Sequence, residues 1–189
     1  ITGGLIAHYR DRGNVKVTLW KLGGASATGE KETLAAEDRS VPPDGQEHVI
    51  KLTAKDAGLY RLTVSDGMDR TQVKLPAELP VVVPSSQDAP MNAHHGQWMA
   101  YFYVPKGTKT VGLFGGDHGE VQDSRNRTVF WLNGRKRDFY AVPVPDGQDG
   151  KVWRVRYGKG DVRLLTVPPY FAPTPGQLLL PAEVVEKDR

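Results

Sequence analysis

The sequence predicts an all-β protein, and two observations support this fold class. Short runs of alternating apolar and polar residues, the period of a half-buried strand, recur along the chain. Turn-forming residues separate these runs, since the 189 residues include 21 glycines and 14 prolines. A chain of this length can bury one core or form two smaller domains. We expect two β-sandwiches, at residues 1–79 and 80–189, with a short C-terminal helix or arm.

Composition excludes several kinds of site. The chain has no cysteine, so disulfides, thiol catalysis and cysteine-ligated metals are excluded. No stretch approaches the roughly 18 apolar residues of a membrane span, so we expect no membrane partner. The net charge is only +3, but residues 125–163 hold ten Lys or Arg against four Asp. This local excess could attract an anionic partner, although a solvated surface has a similar composition.

The first half contains a series of short predicted strands. Val15, Val17 and Leu19 share one face of the first strand, and Lys16, Thr18 and Trp20 share the other. A flexible turn is expected at residues 23–30. Three alternating runs follow within residues 48–75, and the Asp-Gly-Met-Asp segment at 66–69 predicts a hairpin turn between the last two.

A short motif connects this half to a known fold. Asp56, Gly58 and Tyr60 form a D-x-G-x-Y pattern. The pattern resembles that of the immunoglobulin-like sandwich, in which the tyrosine hydroxyl hydrogen-bonds to the backbone at a corner between two strands. Leu62 stands where a disulfide-bonded member has cysteine, so the resemblance is to a cysteine-free member. The same resemblance implies that Trp20 is a core tryptophan.

A proline-rich segment follows the part of the chain that this resemblance covers, which is about residues 14–76. Four prolines lie within residues 75–90, too many for a central strand of a sheet. We therefore place the domain boundary between residues 79 and 80. Residues 80–84 are expected to form an edge strand that opens the second unit.

The second unit contains about seven or eight predicted strands in 110 residues, a number typical of a jelly-roll or related sandwich. The strand at residues 98–104 has apolar or aromatic residues on both faces, which is typical of a strand covered on both sides or lining a groove. We expect Trp98, Phe102 and Val104 to face the core. Tyr101 and Tyr103 then lie on the opposite face.

Turn signals between alternating runs predict three hairpins in this unit, at residues 98–114, 128–142 and 151–167. In the last of them, Trp153, Val155 and Tyr157 share one face, and Arg154 and Arg156 share the other.

The C-terminal segment differs from the rest of the chain. Thr174 followed by Pro175 is a typical start of a helix, but Pro181 allows only about one and a half turns. We expect a short helix or an extended arm that packs across the second sandwich.

Three segments of the second unit carry a second resemblance, at residues 101–109, 150–158 and 167–185. Together they resemble accessory β-sandwich regions near the C-termini of large secreted bacterial proteins of the glycoside-hydrolase type. This resemblance implies a secreted, cell-surface or periplasmic location and a covalently linked catalytic domain in a longer chain. It brings no catalytic motif with it.

Histidines and carboxylates near the strand at 98–104 are candidate metal ligands. They would converge if the loops before this strand and after the next one lie at the same end of the sheet. The principal candidates are Asp117, His118 and Glu120, with His94, His95 and Asp123 as further members. Imidazoles with carboxylates suit a divalent transition metal, and carboxylates suit Ca²⁺. No metal-binding spacing is present, so an ordinary polar loop is the alternative.

Aromatic, arginine and amide residues suggest a carbohydrate site. Sugar rings stack on indole and phenol planes, and their hydroxyls need planar polar partners. The candidates are Tyr101, Tyr103, Trp131, Asp123, Arg125, Asn126, Arg154 and Arg156. Arginine also binds carboxylate and sulfate groups through paired hydrogen bonds, which favours acidic glycans. Each ring taken alone is more often a core residue.

The chain contains no nucleophile-elbow, P-loop, dinucleotide-binding or paired-carboxylate motif. We therefore expect a non-catalytic carbohydrate-binding or targeting module of a secreted bacterial polysaccharide-degrading protein. Nucleic acid is not an expected partner, because the charge excess is small and no binding module is visible. Two alternatives remain: a structural module that packs on a catalytic domain, and a polysaccharide lyase with Tyr or His as base beside Arg or Lys.

Overall fold

The structure is a computed structural model that describes residues 1–23, 32–67, 69–91 and 96–189. The chain forms two compact units, Ile1–Leu75 and Pro76–Arg189. Nearly all of the turn expected at residues 23–30, Met68 of the expected hairpin turn, and both His94 and His95 lie outside the described residues.

The protein is all-β, as predicted. The first unit contains a short 3-10 helix, Ala7–Arg12, and an antiparallel sheet of β1 (Val15–Lys21), β2 (Thr33–Val41) and β3 (Tyr60–Ser65) in the order β2-β1-β3. Val15 and Val17 are buried with Val41, as the prediction for β1 requires, but Leu19 is only half-buried and Thr18, from the opposite face, is buried as well. Trp20 lies outside this buried cluster, and its indole N–H donates to Thr63 Oγ1 at 3.2 Å. It is therefore not the core tryptophan that the resemblance implied.

Strand β2 was not predicted from the sequence. Its residues include two alanines, a glutamate and an aspartate, which are depleted in strands. β2 is an edge strand with most of its side chains exposed, and it pairs along its length with β1. Its conformation thus depends on a neighbouring strand rather than on its own composition.

Two of the three strands predicted within residues 48–75 are wrong. The runs at 48–52 and 71–75 form no strand. Only the middle run forms one, which is β3. Instead, Thr2 makes single antiparallel bridges to Glu47 and to Gln72. Apolar residues of the first run still pack against the buried valines. Beside its three-stranded sheet, the described part of this unit consequently has single bridges where strands were predicted.

The second unit is formed by nine strands in three sheets: β4 (Val83–Pro84), β5 (Trp98–Val104), β6 (Thr110–Gly115), β7 (Glu120–Gln122), β8 (Thr128–Trp131), β9 (Asp138–Pro143), β10 (Lys151–Gly158), β11 (Arg163–Leu164) and β12 (Tyr170–Phe171), as far as the described residues show. The sheet orders are β5-β10-β7-β8, β11-β6-β9 and β12-β4. One buried cluster takes side chains from strands of all three sheets, including Phe102, Leu113, Trp153 and Phe171.

The three predicted hairpins of the second unit are wrong. β5 and β6 lie in different sheets, as do β8 and β9, and β10 and β11. The observed pairs are nested: β7 pairs with β8, β6 with β9, and β5 with β10. The paired strands lie in two sheets that share one buried cluster, which fits a sandwich-like all-β fold. The short connections from β5 to β6, from β8 to β9 and from β10 to β11 each join strands of different sheets.

The predicted faces of β5 are confirmed. Phe102 and Val104 are fully buried, and Trp98 packs against the same core. Alternation along the strand is therefore reliable even where its pairing partner was misassigned.

The C-terminal segment contains a single 3-10 turn, Pro175–Gln177, and a helix α1, Ala182–Lys187. The predicted helix before Pro181 is thus only one turn long. Pro181 instead caps the start of α1, a place where its missing N–H costs nothing. Among the described residues, no helix has the length and apolar character needed to cross a membrane.

Candidate functional site

One face of the four-stranded sheet gathers polar and aromatic side chains from all four strands. Because the core side chains of these strands point inward, alternation directs their neighbours outward. We call the outward set the polar sheet face; it consists of Tyr101, Tyr103, Glu120, Gln122, Thr128, Trp131, Arg154 and Arg156. Five of the eight predicted carbohydrate-binding residues belong to it.

Arg154 is the centre of the first cross-strand row. It lies opposite Tyr101 on β5 and opposite Gln122 on β7. Its Nε donates to Gln122 Oε1 at 2.7 Å, which fixes the plane of the guanidinium. Its two Nη groups have no partner among the residues that the structure describes. The Arg154 guanidinium is therefore held in one orientation, and its Nη groups can donate hydrogen bonds to a ligand.

Glu120 is the centre of the second row, opposite Arg156 and Trp131. It is only 5% exposed, and its two carboxylate oxygens accept from Gln122 Nε2 at 2.9 Å and from Thr128 Oγ1 at 2.6 Å. Arg156 Nη1 lies 3.8 Å from Glu120 Oε1. Glu120 is therefore committed to a network within the sheet face.

The three rings of the polar sheet face differ in availability. Trp131 is 55% exposed at the end of β8. Tyr101 is half-buried. The Tyr103 hydroxyl donates to Asp188 Oδ2 at 2.7 Å, and burial together with this bond raises the pKa of Tyr103 to about 12. Trp131 is thus the ring that a ligand can reach, whereas Tyr103 anchors the C-terminal segment.

The loop between β7 and β8 holds the other three predicted carbohydrate ligands. Asp123 is 1% exposed, and its Oδ1 accepts the backbone N–H groups of Arg125 at 2.9 Å and Arg127 at 3.0 Å. Burial acts to raise the pKa of Asp123, but the Arg127 guanidinium and the two amides outweigh burial and lower it. Asp123 therefore shapes the hairpin and has no free oxygen for a sugar. Arg125 and Asn126 are exposed in this loop, at the far end of β7 from Asp117, and the structure places neither of them on the polar sheet face.

An open pocket of about 480 Å³ lies at the opposite end of the same sheet. Its lining comes from segments next to β5, β7 and β8 and from the end of β10: Gln97, Asp117, His118, Asn133, Gly134 and Tyr157. Asn133 Oδ1 accepts from the backbone N–H of Gly119 at 2.8 Å, and Asp117 N–H donates to the Arg135 carbonyl at 2.9 Å. These bonds hold two loops together beside the strand ends.

Tyr157 enters this pocket because of a β-bulge. The register of β10 against β5 shifts between Val155 and Gly158, so Arg156 and Tyr157 together stand opposite one residue of β5. The bulge breaks the alternation after Val155. Tyr157 is consequently 46% exposed, and the prediction that it shares the core face of Trp153 and Val155 is wrong.

Most polar side chains that line the pocket make no hydrogen bond to the described part of the protein. Within the described ranges, the Asp117 carboxylate, the His118 imidazole, the Gln97 amide and the Tyr157 hydroxyl have no hydrogen-bond partner. Such groups can bind a hydroxyl-rich or charged ligand without first breaking protein contacts.

Among the described residues, two of the predicted metal ligands, Asp117 and His118, lie together in the lining of the pocket. Asp117 and His118 are exposed in the pocket, whereas Glu120 is buried in the sheet-face network. In the part of the chain that the structure describes, no three His, Asp or Glu side chains are grouped as metal ligands.

Sequence reasoning missed Gln97, Gln122 and Asn133 as site residues. Gln122 had a signal, because it follows Glu120 by two residues and therefore shares its face. Gln97 and Asn133 had none, because only the folded sheet brings their separate loops to one end.

Comparison with known proteins finds no family model, no curated protein and no solved structure that matches this chain.

Proposed function

We propose that this chain is a non-catalytic carbohydrate-binding or targeting module of a secreted bacterial polysaccharide-degrading protein, with a preference for acidic glycans. The observation that carries the proposal is the cross-strand row of Tyr101, Arg154 and Gln122 beside the exposed Trp131. A flat sheet face with a held arginine and a reachable indole ring suits an extended polymer.

Arg154 is the chemical centre of the proposed site. Gln122 orients its guanidinium through Nε, and the free Nη groups can donate to a uronate carboxylate or a sulfate. Trp131 would stack against the apolar face of a neighbouring sugar ring. The positive charge of Arg154 would favour acidic glycans, and stacking on Trp131 would add affinity for the polymer.

Two features support the proposed family context. The Tyr60 hydroxyl donates to the Asp56 carbonyl at 2.8 Å, which is the hydrogen bond expected of an immunoglobulin-like tyrosine corner. The nested pairing of the second unit fits a jelly-roll-like accessory sandwich. Secretion, bacterial origin and a linked catalytic domain are parts of the same proposal.

Affinity electrophoresis tests the proposed function. Gels containing polygalacturonate, alginate, a carrageenan, xylan or soluble cellulose would be run with the wild-type protein and with Arg154→Gln and Trp131→Ala. Arg125→Gln is the matched control, because it removes one exposed positive charge from the far end of the sheet.

We expect an acidic polymer to retard the wild type, and Arg154→Gln to weaken this binding about tenfold while Arg125→Gln changes it less than twofold. Retardation by no polymer would overturn the proposal. Equal losses in the Arg154 and Arg125 variants would mean that binding depends on net charge and not on the sheet face.

A structural module that packs on a catalytic domain is the second candidate. It is favoured by an apolar surface on the opposite sheet, where Phe139 is 61% exposed and its ring lies 5.1 Å from that of Phe114. If no polysaccharide binds, this surface becomes the leading candidate. The polysaccharide-lyase alternative requires unsaturated products from a polyuronate, which ultraviolet absorbance would detect.

A further inference from the structure

Tyr157 occupies a backbone position that normally requires glycine. Its φ of 56° lies in the left-handed region, where the Cβ of a bulky residue is crowded by the following carbonyl. The bulge geometry with a left-handed residue is ordinarily made with glycine. A tyrosine persists here although glycine would relieve the strain, and strain of this kind concentrates at functional sites.

The strained positions cluster at the pocket. Among the described residues, three non-glycine residues have a positive φ: Asp117, Asn126 and Tyr157. Asp117 and Tyr157 both line the pocket, and Asn126 lies at the tip of the β7–β8 loop. Asparagine and aspartate tolerate this conformation, but tyrosine does not. Tyr157 is therefore the position that packing alone does not explain.

The bulge changes what the Tyr157 ring can contact. Without the extra residue, alternation after Trp153 and Val155 would direct this side chain into the core. With the bulge, the ring is about half exposed at the pocket, and the Arg156 guanidinium lies 4.2 Å from its centroid. A cation over one face holds the ring in place and leaves the other face for a ligand.

The other lining residues of the pocket add polar groups to this ring. Asp117 supplies a carboxylate, His118 an imidazole and Gln97 an amide, all without partners in the described residues. The Asn133 amide keeps its N–H donors, because only its oxygen is bonded within the part of the chain that the structure describes. A volume of about 480 Å³ falls within the usual range of small-ligand sites.

We propose that this pocket is a second subsite that binds a single polyhydroxylated sugar ring, stacked on Tyr157 and hydrogen-bonded by Asp117, His118, Gln97 and Asn133. The inference rests on the proposed carbohydrate binding and adds a specificity element to it. Arg154 and Trp131 select an acidic polymer on the sheet face, whereas Tyr157 selects one ring at the end of that face. The strained backbone is the cost of presenting the ring.

Nuclear magnetic resonance of the ¹⁵N-labelled 189-residue chain tests the proposal. The probes are free glucose, galactose, mannose, xylose and glucuronate, each titrated into the millimolar range. We expect at least one sugar to give saturable shifts at the backbone amides of Gly119 and Gly134 and at the side-chain amides of Gln97 and Asn133. No saturable shift with any of the five sugars would overturn the proposal.

Tyr157→Gly is the decisive variant, because glycine fits the bulge and removes the ring. We expect it to weaken the sugar titration at least tenfold while its melting temperature stays within a few degrees of the wild type. Asn126→Gly is the matched control, since it relieves a positive φ of 62° at the far end of the sheet. Its sugar titration should equal that of the wild type.

Unchanged sugar shifts in Tyr157→Gly would reject the subsite. If this variant unfolds, Tyr157→Asn replaces it, because asparagine also tolerates a positive φ. The two proposals fail separately. Polymer retardation that depends on Arg154, without monosaccharide shifts, rejects the pocket alone; monosaccharide shifts that depend on Tyr157, without polymer retardation, reject the sheet face alone.

Discussion

Replacement of Asp123 should destabilise the second unit through the β7–β8 hairpin. The side chain is buried, and its two oxygens accept from the amides of Arg125 and Arg127 and from the Arg127 guanidinium, at 2.8–3.0 Å. Asp123→Ala removes this acceptor from both amides and from the Arg127 guanidinium, which contacts Asp123 Oδ2 through Nε and Nη2. Water can reach the exposed Arg127, so its loss is partly compensated.

The expected magnitude follows from these contacts. A hydrogen bond to a charged group contributes about 1.5–3 kcal/mol, and bonds that share one acceptor group do not add. We therefore expect Asp123→Ala to lower the free energy of unfolding by about 2–3 kcal/mol. Asp123→Asn keeps an oxygen for the amides but turns an N–H₂ group towards the guanidinium, so about half of this loss is expected. Arg127→Gln, which changes an exposed partner, should cost about 0.5–1 kcal/mol.

Urea unfolding followed by tryptophan fluorescence measures these losses. Trp98, Trp131 and Trp153 all lie in the second unit, so the emission reports mainly on its unfolding. The denaturant slope should not change among the variants. An Asp123→Ala loss below 1 kcal/mol would refute the structural role of this carboxylate. Asp123 would then return to the candidate sugar ligands.

Three further outcomes are expected. Tyr60→Phe removes the 2.8 Å bond to the Asp56 carbonyl and should cost about 0.5–1 kcal/mol in urea unfolding of the first unit; no loss would count against a tyrosine corner. The raised pKa of Tyr103 means that its bond to Asp188 stabilises the fold fully below about pH 10 and loses this effect as the pH rises through about 12. A spectrophotometric titration should show a tyrosine near pH 12 that Tyr103→Phe lacks, and a titration near pH 10 would contradict the buried bond. Gly116→Ala would place a Cβ 2.5 Å from a backbone carbonyl oxygen. We expect this contact to lower the free energy of unfolding in urea by about 1–3 kcal/mol. An unchanged free energy of unfolding would mean that the loop can move to relieve the contact.

Local alternation was the most reliable source of prediction. It assigned Val15 and Val17, and Phe102 and Val104, to buried faces, and all four are buried. The reason is that the pleat of a strand directs successive side chains to opposite sides whichever strand lies beside it. Alternation failed at Tyr157, where a bulge inserts one residue and reverses the faces.

Pairing between strands could not be obtained from turn signals. The Asn-Gly turn at residues 133–134 predicted a hairpin of β8 and β9, but these strands belong to opposite layers. A short turn can join paired strands or carry the chain across a core, and the local sequence of the turn is compatible with both. The choice depends on which pairing buries the most apolar surface.

The candidate site shows the same division. Residues of one strand, such as Arg154 and Arg156, could be assigned to one face from their spacing of two. The alignment of Arg154 with Gln122, and of Glu120 with Trp131, depends on register between distant segments. Register is decided by the whole sheet, so no local pattern could reveal these partners.

The sequence by itself determined the all-β class, the inward and outward faces of the regular strands, the absence of cysteine chemistry and the tyrosine motif with its backbone bond. Only the tertiary structure decided which strands pair, that Asp123 shapes a loop, that Glu120 is held in a sheet network, and that Tyr157 stands at a pocket. The physical reason is that side-chain direction is a local property of the backbone. Which distant segments come into contact depends instead on how all the apolar strands of the chain pack together in one core.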